Sequence, residues 1–364
     1  MLILHVSPTY YSSDSVIGGG EKYLLYMIKA LNKEATSVSL KLQNQILSFS
    51  DKERGDCNFH GGVYHIIKGK PWDTNTIDLE PLLKYIRLAD VVVVHQCFSP
   101  VGLFVASHAQ LLSKYVIGMD HGAGEHSIVR HSPESKLIFN LFLAYSDYGA
   151  GAFRNSSIPT LTSYGPVDTD YFTYSSDAQR QERLVLSVGR ILPHKGFDRI
   201  IKALPTELDL IIVGGIKDTE YLEYLKKLAF KRNVSLKIME GLTDSEVRHL
   251  MQKASLYVHA STHIDYRGNM YLKPELLGLA PLEALASGTP TFVSDAGSLS
   301  ELGKINGCYV FHSDNELKEL FEQFISKKLL TPSPEKIHLS VEQNYGLSSF
   351  GYPVINHLRN IFEK

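Results

Sequence analysis

The chain has 364 residues, of which 44% are hydrophobic and 21% charged, with a formal net charge of -2. That length exceeds what one hydrophobic core sustains, so two domains are expected, and the composition is that of a folded globular protein, not a disordered or collagenous one. Lys and Arg number 14 against 16 Asp and Glu through Asp170, and 23 against 23 afterwards, so neither half advertises a surface for nucleic acid or an anionic membrane.

The first residues, MLILHVSPTYY, lack a basic flank and read as a strand, not as a signal peptide. β-rich runs then alternate with helical patterns: LILHVS, VYHII, VVVVH, YVIGM and LTSYG, followed by LVLSV, LDLIIVG, VSLKIM, SLYVHA and TFVSD. This is the alternation of βαβ units. Continuous apolar runs such as Val91–Val94 and Leu210–Val213 suit strands covered on both faces, as a parallel sheet requires. The most apolar stretch, KLIFNLFLAYS at 136–146, falls short of the ~18 residues that cross a bilayer. Cys57, Cys97 and Cys308 are odd in number and widely spaced, which fits a reducing cytosol better than a disulfide framework or a zinc knuckle. The polar, Pro- and Asp-containing stretch 164–183 reads as the boundary between domains of residues 1–170 and 171–345. Residues 346–364 read as a terminal helix that could pack back on the first domain.

Two open parallel sheets bind ligands outside the carboxyl ends of their strands, so chemistry is expected in strand-to-helix loops. Gly18, Gly19 and Gly20 would let backbone amides at a helix start approach a phosphate or sugar, or would simply form a flexible loop. No GxGxxG follows the first strand closely, which argues against a nicotinamide-dependent oxidoreductase. Asp120-His121-Gly122 follows the strand YVIGM. His121, His126 and His131 share no helix face and match no metal-ligand spacing, so no metal site is expected. Asp168-Thr169-Asp170 is an Asp-x-Asp pattern of the kind that can hold a metal, or a loop-capping element, the reading favoured by the resemblance described below. Arg190 and Lys195 flank the loop after LVLSV; Arg suits a bidentate phosphate contact and Lys a compact charge, although isolated basic residues are often merely solvated. TDSE at 243–246 fits a capping box. Glu275 precedes a helix expected to start near Ala280, and Glu283 lies about one turn inside it. The amides between them would form a phosphate-attracting helix start, and the two carboxylates could accept hydrogen bonds from hydroxyls of a transferred sugar and a ribose, or could be solvated charges.

The run ELLGLAPLEALASGTP, continued by TFVSDAGSLSEL, resembles the E-x7-E signature of the retaining glycosyltransferases of family four, also called group 1. GGGEKYLLYMIKAL from Gly18 and GRILPHKG from Gly189 resemble two further pieces of that family in the same order. The resemblance implies a GT-B fold: two Rossmann-like, doubly wound parallel-sheet domains facing a central cleft, the first for acceptor and the second for nucleotide sugar. It implies catalytic roles for Arg190, Lys195, Glu275 and His121, and donor binding by Gly19, Gly20, Leu242, Leu277, Gly278, Leu279 and Glu283. It further implies retaining, metal-independent transfer of a hexose, with a UDP-sugar favoured as co-substrate and no other cofactor. The acceptor would be a glycan, glycolipid or small molecule. The expected setting is the cytoplasm, with peripheral association at the inner face of the plasma membrane left open and no nucleic-acid partner.

Two departures qualify the likeness. Residues 262–274, THIDYRGNMYLKP, intervene before Glu275 where the family usually has almost nothing, and Glu275 is followed by Leu-Leu-Gly in place of the common Gly-Phe-Gly. A nucleotide-sugar epimerase of the same architecture and a non-catalytic nucleotide-sugar binding protein are the alternatives.

Overall fold

The computed structural model describes residues 1–7, 19–52, 55–59, 62–122, 137–153, 158–176 and 179–363. Gly18, His126 and His131, singled out above, lie outside the described residues. The chain divides into two compact units, Met1–Pro166 with Leu347–Lys364, and Val167–Gly346.

The first unit is built on eight strands: β1 (Leu2–Val6), β2 (Gln43–Ser50), β3 (Gly55–Phe59), β4 (Gly62–Lys68), β5 (Val91–His95), β6 (Tyr115–Met119), β7 (Leu141–Ala144) and β8 (Thr160–Thr162). They lie in the order β3-β4-β2-β1-β5-β6-β7-β8. Every pairing is parallel save that of β3 with β4. All five residues of β5 are buried, as expected of a strand covered on both faces. Three strands, β2, β3 and β7, have no counterpart in the sequence reading, and for two of them the reason is identifiable. The polar start of β2, Gln-Asn-Gln, hides its buried second half, and β7 lies inside the apolar run at 136–146, where periodicity cannot separate strand from buried helix. Leu141, Phe142, Leu143 and Ala144 are all buried in the sheet, and no helix of the described residues is long and apolar enough to cross a membrane.

The terminal helix Leu347–Phe362 belongs to this unit and packs against the helix Gly19–Ser37. The Ser163 hydroxyl donates to the Phe350 carbonyl at 2.7 Å. At Gly351 the two helices come so close that a Cβ would lie 2.6 Å from the Ala30 carbonyl oxygen. Amphipathic helices gain most of their stability from such packing.

The second unit holds β9 (Gln181–Val188), β10 (Asp209–Val213), β11 (Ser235–Met239), β12 (Ala254–His259), β13 (Thr291–Ser294) and β14 (Cys308–Phe311), all parallel, in the order β11-β10-β9-β12-β13-β14. Numbered within the unit, that order is 3-2-1-4-5-6, the doubly wound arrangement, and the direction of winding reverses between β9 and β12. The stretch read from sequence as a boundary is partly an integral piece of this unit. Phe172 is fully buried, Asp168 accepts the Tyr171 amide at 3.1 Å, and the Arg180 guanidinium donates to the Ala254 and Gly288 carbonyls at 2.6 and 2.7 Å. The division therefore falls at Pro166–Val167.

Replacing Gly351 with Leu should push the two helices apart and lower stability by about 1–3 kcal/mol, the usual cost of overpacking. A denaturant midpoint equal to that of the wild type would show that this approach is not tight.

Candidate active site

The loops that leave β9 and β12 flank the point where the second sheet reverses, which is where open α/β sheets bind ligands. The first carries Gly189, Arg190 and Lys195, and the second runs from Ala260 to Gly278 through Glu275. Backbone contacts join them. The Thr262 amide donates to the His194 carbonyl at 2.9 Å, and Gly196, at φ +65°, lies so close that any Cβ would overlap the Ala260 carbonyl oxygen. A side chain there would meet both a disfavoured backbone conformation and a clash.

At this junction the Lys195 ammonium meets the Glu275 carboxylate at 2.8 Å. The same oxygen, Oε2, lies 2.9 Å from His259 Nε2. His259 is the last residue of β12; the Tyr257 hydroxyl lies 3.4 Å from its Nδ1 and the Ser261 hydroxyl 3.1 Å from its Nε2. A carboxylate only accepts, so His259 carries a proton on Nε2 and its Nδ1 can accept from Tyr257. Burial alone would raise the pKa of Glu275, but the Lys195 charge and the His259 hydrogen bond outweigh it and hold the carboxyl far below its ordinary value of 4.5. His194 is pushed the other way, to about 4, by burial and then by the adjacent Lys195 charge. The site therefore keeps an ionised carboxylate beside a neutral imidazole. Oε1 of Glu275 has no hydrogen-bond partner among the described residues, and the Arg190 side chain is exposed with no hydrogen bond or ion pair among them.

Beyond Glu275 the chain turns through Leu276 and Leu277 to Gly278, at φ +78°, which caps the helix Leu279–Ala286. Glu283 is buried within that helix. The Glu275 carbonyl accepts the Ser298 amide at 3.2 Å, and a Cβ on Gly297 would overlap that carbonyl oxygen. Leu242 is half-buried beside a capping box in which Thr243 and Glu246 bond reciprocally.

The 262–274 segment is an ordered hairpin-like loop. Ile264 bridges Met270, and the buried Asp265 carboxylate accepts from the Arg267 and Asn269 amides, the Asn269 side chain and the Tyr271 hydroxyl. Arg267 pairs with Asp218 at 2.7 Å. The Tyr271 ring lies 4.7 Å from that of His194, so this loop is fixed directly to the one that carries Lys195.

Gly19, Gly20 and His121 lie in the first unit, the first two opening the helix Gly19–Ser37 and His121 following β6. Burial lowers the His121 pKa to about 4, Asp120 opposing the shift. No group of three or more His, Cys, Asp or Glu among the described residues is placed to hold a metal ion; Asp168 instead caps its own turn.

Sequence reasoning did not single out Tyr257, His259 or Ser261. Their one signal was position, because the polar end of an otherwise apolar strand is where a doubly wound sheet presents side chains to a ligand.

Residues 173–338 match the family model described as Glycosyl transferases group 1. That segment lies wholly within the second unit, so the group 1 match covers Lys195, Glu275 and His259 together. An uncharacterized glycosyltransferase of Methanocaldococcus jannaschii is 30% identical over 148 residues, covering 38% of this chain and 35% of that protein. The alpha-maltose-1-phosphate synthase of Mycobacterium tuberculosis is 26% identical over 157 residues, covering 40% and 38%. The matches thus span little more than a third of these relatives. Among solved structures, Anabaena HepE in complex with UDP and glucose superposes with a TM-score of 0.74 at 17% identity over 98% of each chain. Sucrose-phosphate synthase from Thermosynechococcus elongatus does so at 0.73 and 14%, over 100% and 99%. At such identities the likeness is one of fold, and the fold is of the GT-B type.

The depressed pKa of Glu275 makes a signed prediction. Its stabilising contribution is complete above the unfolded value near 4.5 and is lost as pH falls towards the folded value. Glu275→Gln should therefore be less stable than the wild type at pH 7, with a gap that narrows as pH drops below about 4.5. Denaturant unfolding of both proteins from pH 7 to pH 3 measures the gap, and a gap independent of pH would contradict the assignment.

Proposed function

We propose that this chain is a retaining glycosyltransferase that moves a hexose from a nucleotide sugar, a UDP-sugar in the first instance, to a hydroxyl of a glycan, glycolipid or small-molecule acceptor without a metal ion. The observation that carries this reading is the meeting of Lys195, Glu275 and His259 at the reversal point of the second sheet. The group 1 family match and the UDP and glucose bound in the structure of HepE support it.

Breaking the bond between an anomeric carbon and a nucleoside diphosphate builds negative charge on the departing phosphate and positive charge on the ring. An ammonium has three donors. With one engaged by Glu275, Lys195 keeps two for phosphate oxygens, while the exposed guanidinium of Arg190 supplies a fork suited to the same group. The amides of Leu277, Gly278 and Leu279 at the helix start add donors without a counter-charge. Groups fixed before reaction stabilise developing charge without reorganising.

Glu275 does not act as a free base in this scheme. Its Oε2 is held by Lys195 and His259, so Oε1 is left to accept a hydrogen bond from a hydroxyl of the transferred sugar, and Glu283 takes the corresponding role for the ribose. A glycosidase needs two carboxyl groups flanking the scissile bond, whereas the carboxylate here is fixed in place by two partners. Retention follows from attack on the same face as the leaving group, with a donor phosphate oxygen helping to remove the acceptor proton.

A thermal-shift panel of UDP, GDP, ADP and their sugars should show the largest rise with UDP or UDP-glucose, since a ligand favouring the folded state stabilises it. Product analysis with and without acceptor then separates transfer from epimerisation, which needs no acceptor. With a donor in hand, Lys195→Ala should lower turnover by about 10²–10³-fold, the range for losing one preorganised charge-stabilising donor, and EDTA should leave the rate unchanged. Full turnover in the variant would remove Lys195 from the chemistry, and inhibition by EDTA would overturn metal independence.

A further inference from the structure

Three histidines cross the first sheet in an unbroken line. His5 in β1, His95 at the end of β5 and His121 after β6 come from adjacent, parallel strands. His5 Nδ1 lies 3.3 Å from His95 Nε2, and His95 Nδ1 lies 2.8 Å from His121 Nε2. The far end is set by an amide pair: Asn44 Oδ1 lies 2.9 Å from His5 Nε2, while Asn44 Nδ2 donates to Asn32 Oδ1 at 2.8 Å. His5 and His95 are fully or almost fully buried.

A neutral imidazole has one N–H and one bare nitrogen, so each contact in such a line dictates the next. Asn44 Oδ1 accepts, hence His5 carries its proton on Nε2 and presents a bare Nδ1. That nitrogen accepts from His95 Nε2–H, which leaves His95 Nδ1 bare to accept from His121 Nε2–H. Nδ1 of His121, which has no hydrogen-bond partner among the described residues, is then an acceptor with its lone pair exposed to a ligand.

We propose that His5 and His95 are positioning residues that lock His121 in the Nε2–H tautomer, so that His121 meets its ligand as a hydrogen-bond acceptor and engages a hydroxyl, not an anionic phosphate oxygen. This rests on the catalytic role that the family resemblance implies for His121, taken as contact with the donor sugar, and it specifies which part of the donor that residue recognises. Two further features favour the lock. Burial opposes the charged form along the whole line, and at His95 the neighbouring His121 and His5 rings oppose it as well. The His121 ring is also clamped by aromatic rings: the Tyr145 ring lies nearly parallel to it at 5.6 Å, with the Tyr23 ring edge-on at 5.2 Å. Tyr145 is itself tied to the Asp120 carbonyl at 2.7 Å. Ring plane and proton position are thus fixed by different sets of neighbours.

The test is long-range proton–nitrogen NMR of the histidine-labelled wild-type chain at pH 7.5, with signals assigned through single His variants. The expected spectrum shows His5, His95 and His121 neutral and protonated on Nε2. A His121 protonated on Nδ1, protonated on both nitrogens or exchanging between tautomers overturns the proposal. His95→Asn offers an amide oxygen where the Nδ1 lone pair lies and should preserve the His121 signal, whereas His95→Leu should shift it. With a confirmed donor, His95→Leu should lower kcat/KM at least tenfold and His95→Asn should recover most of it; equal losses in both variants would reduce His95 to a structural role. A correct tautomer accompanied by unchanged donor affinity in His121→Ala would mean that the lock exists but His121 is not a donor-site residue.

Discussion

Lys195 and Glu275 stand 80 residues apart in sequence and 2.8 Å apart in the fold, and the chemistry proposed for the second unit depends on that contact. Neither group would be well placed alone. An ionised carboxylate largely withdrawn from water is costly, and removing one member of such a pair typically costs about 3–5 kcal/mol because the other is left uncompensated. Here the ammonium and the His259 imidazole share one carboxylate oxygen. That arrangement fixes the charge state of Glu275 and the direction of its remaining lone pairs at the same time.

The pair can form only because the backbones around it approach closely. Gly196 touches the Ala260 carbonyl and Gly297 the Glu275 carbonyl, each at a positive φ that side chains rarely adopt. Close approach and left-handed conformation act together, which is why these positions are Gly and not merely small residues. The same economy of space governs the 262–274 segment. Its acidic hub at Asp265 and its Tyr271–His194 ring contact make it part of the wall of the site. The loop is therefore tied directly to the one that carries Lys195.

The first unit solves a different problem by similar means. Imidazoles buried in a sheet are expensive when charged and ambiguous when neutral. A line of three, ended by an amide whose other side is already engaged, removes the ambiguity without any formal charge. Polar residues interrupting the apolar strands LILHV and VVVVH are the trace of this line in the sequence, but only strand register shows that they meet.

The sequence by itself determined the parallel α/β class, the alternation of strands and helices, and the loops in which Arg190, Lys195 and Glu275 lie. Those features follow from local hydrophobic runs and from glycine and charge placement at strand ends, which are legible without knowing what packs against what. It did not reveal β2, β3, β7 or β14; a polar start disguises β2, and an unbroken apolar run disguises β7. Nor did it identify His259 or the line that His5 and His95 form with His121. Only the tertiary structure decided these, because strand order is a matter of long-range pairing: β9 and β12 become neighbours, and β1, β5 and β6 bring their histidines into line, through contacts between residues that no local pattern connects.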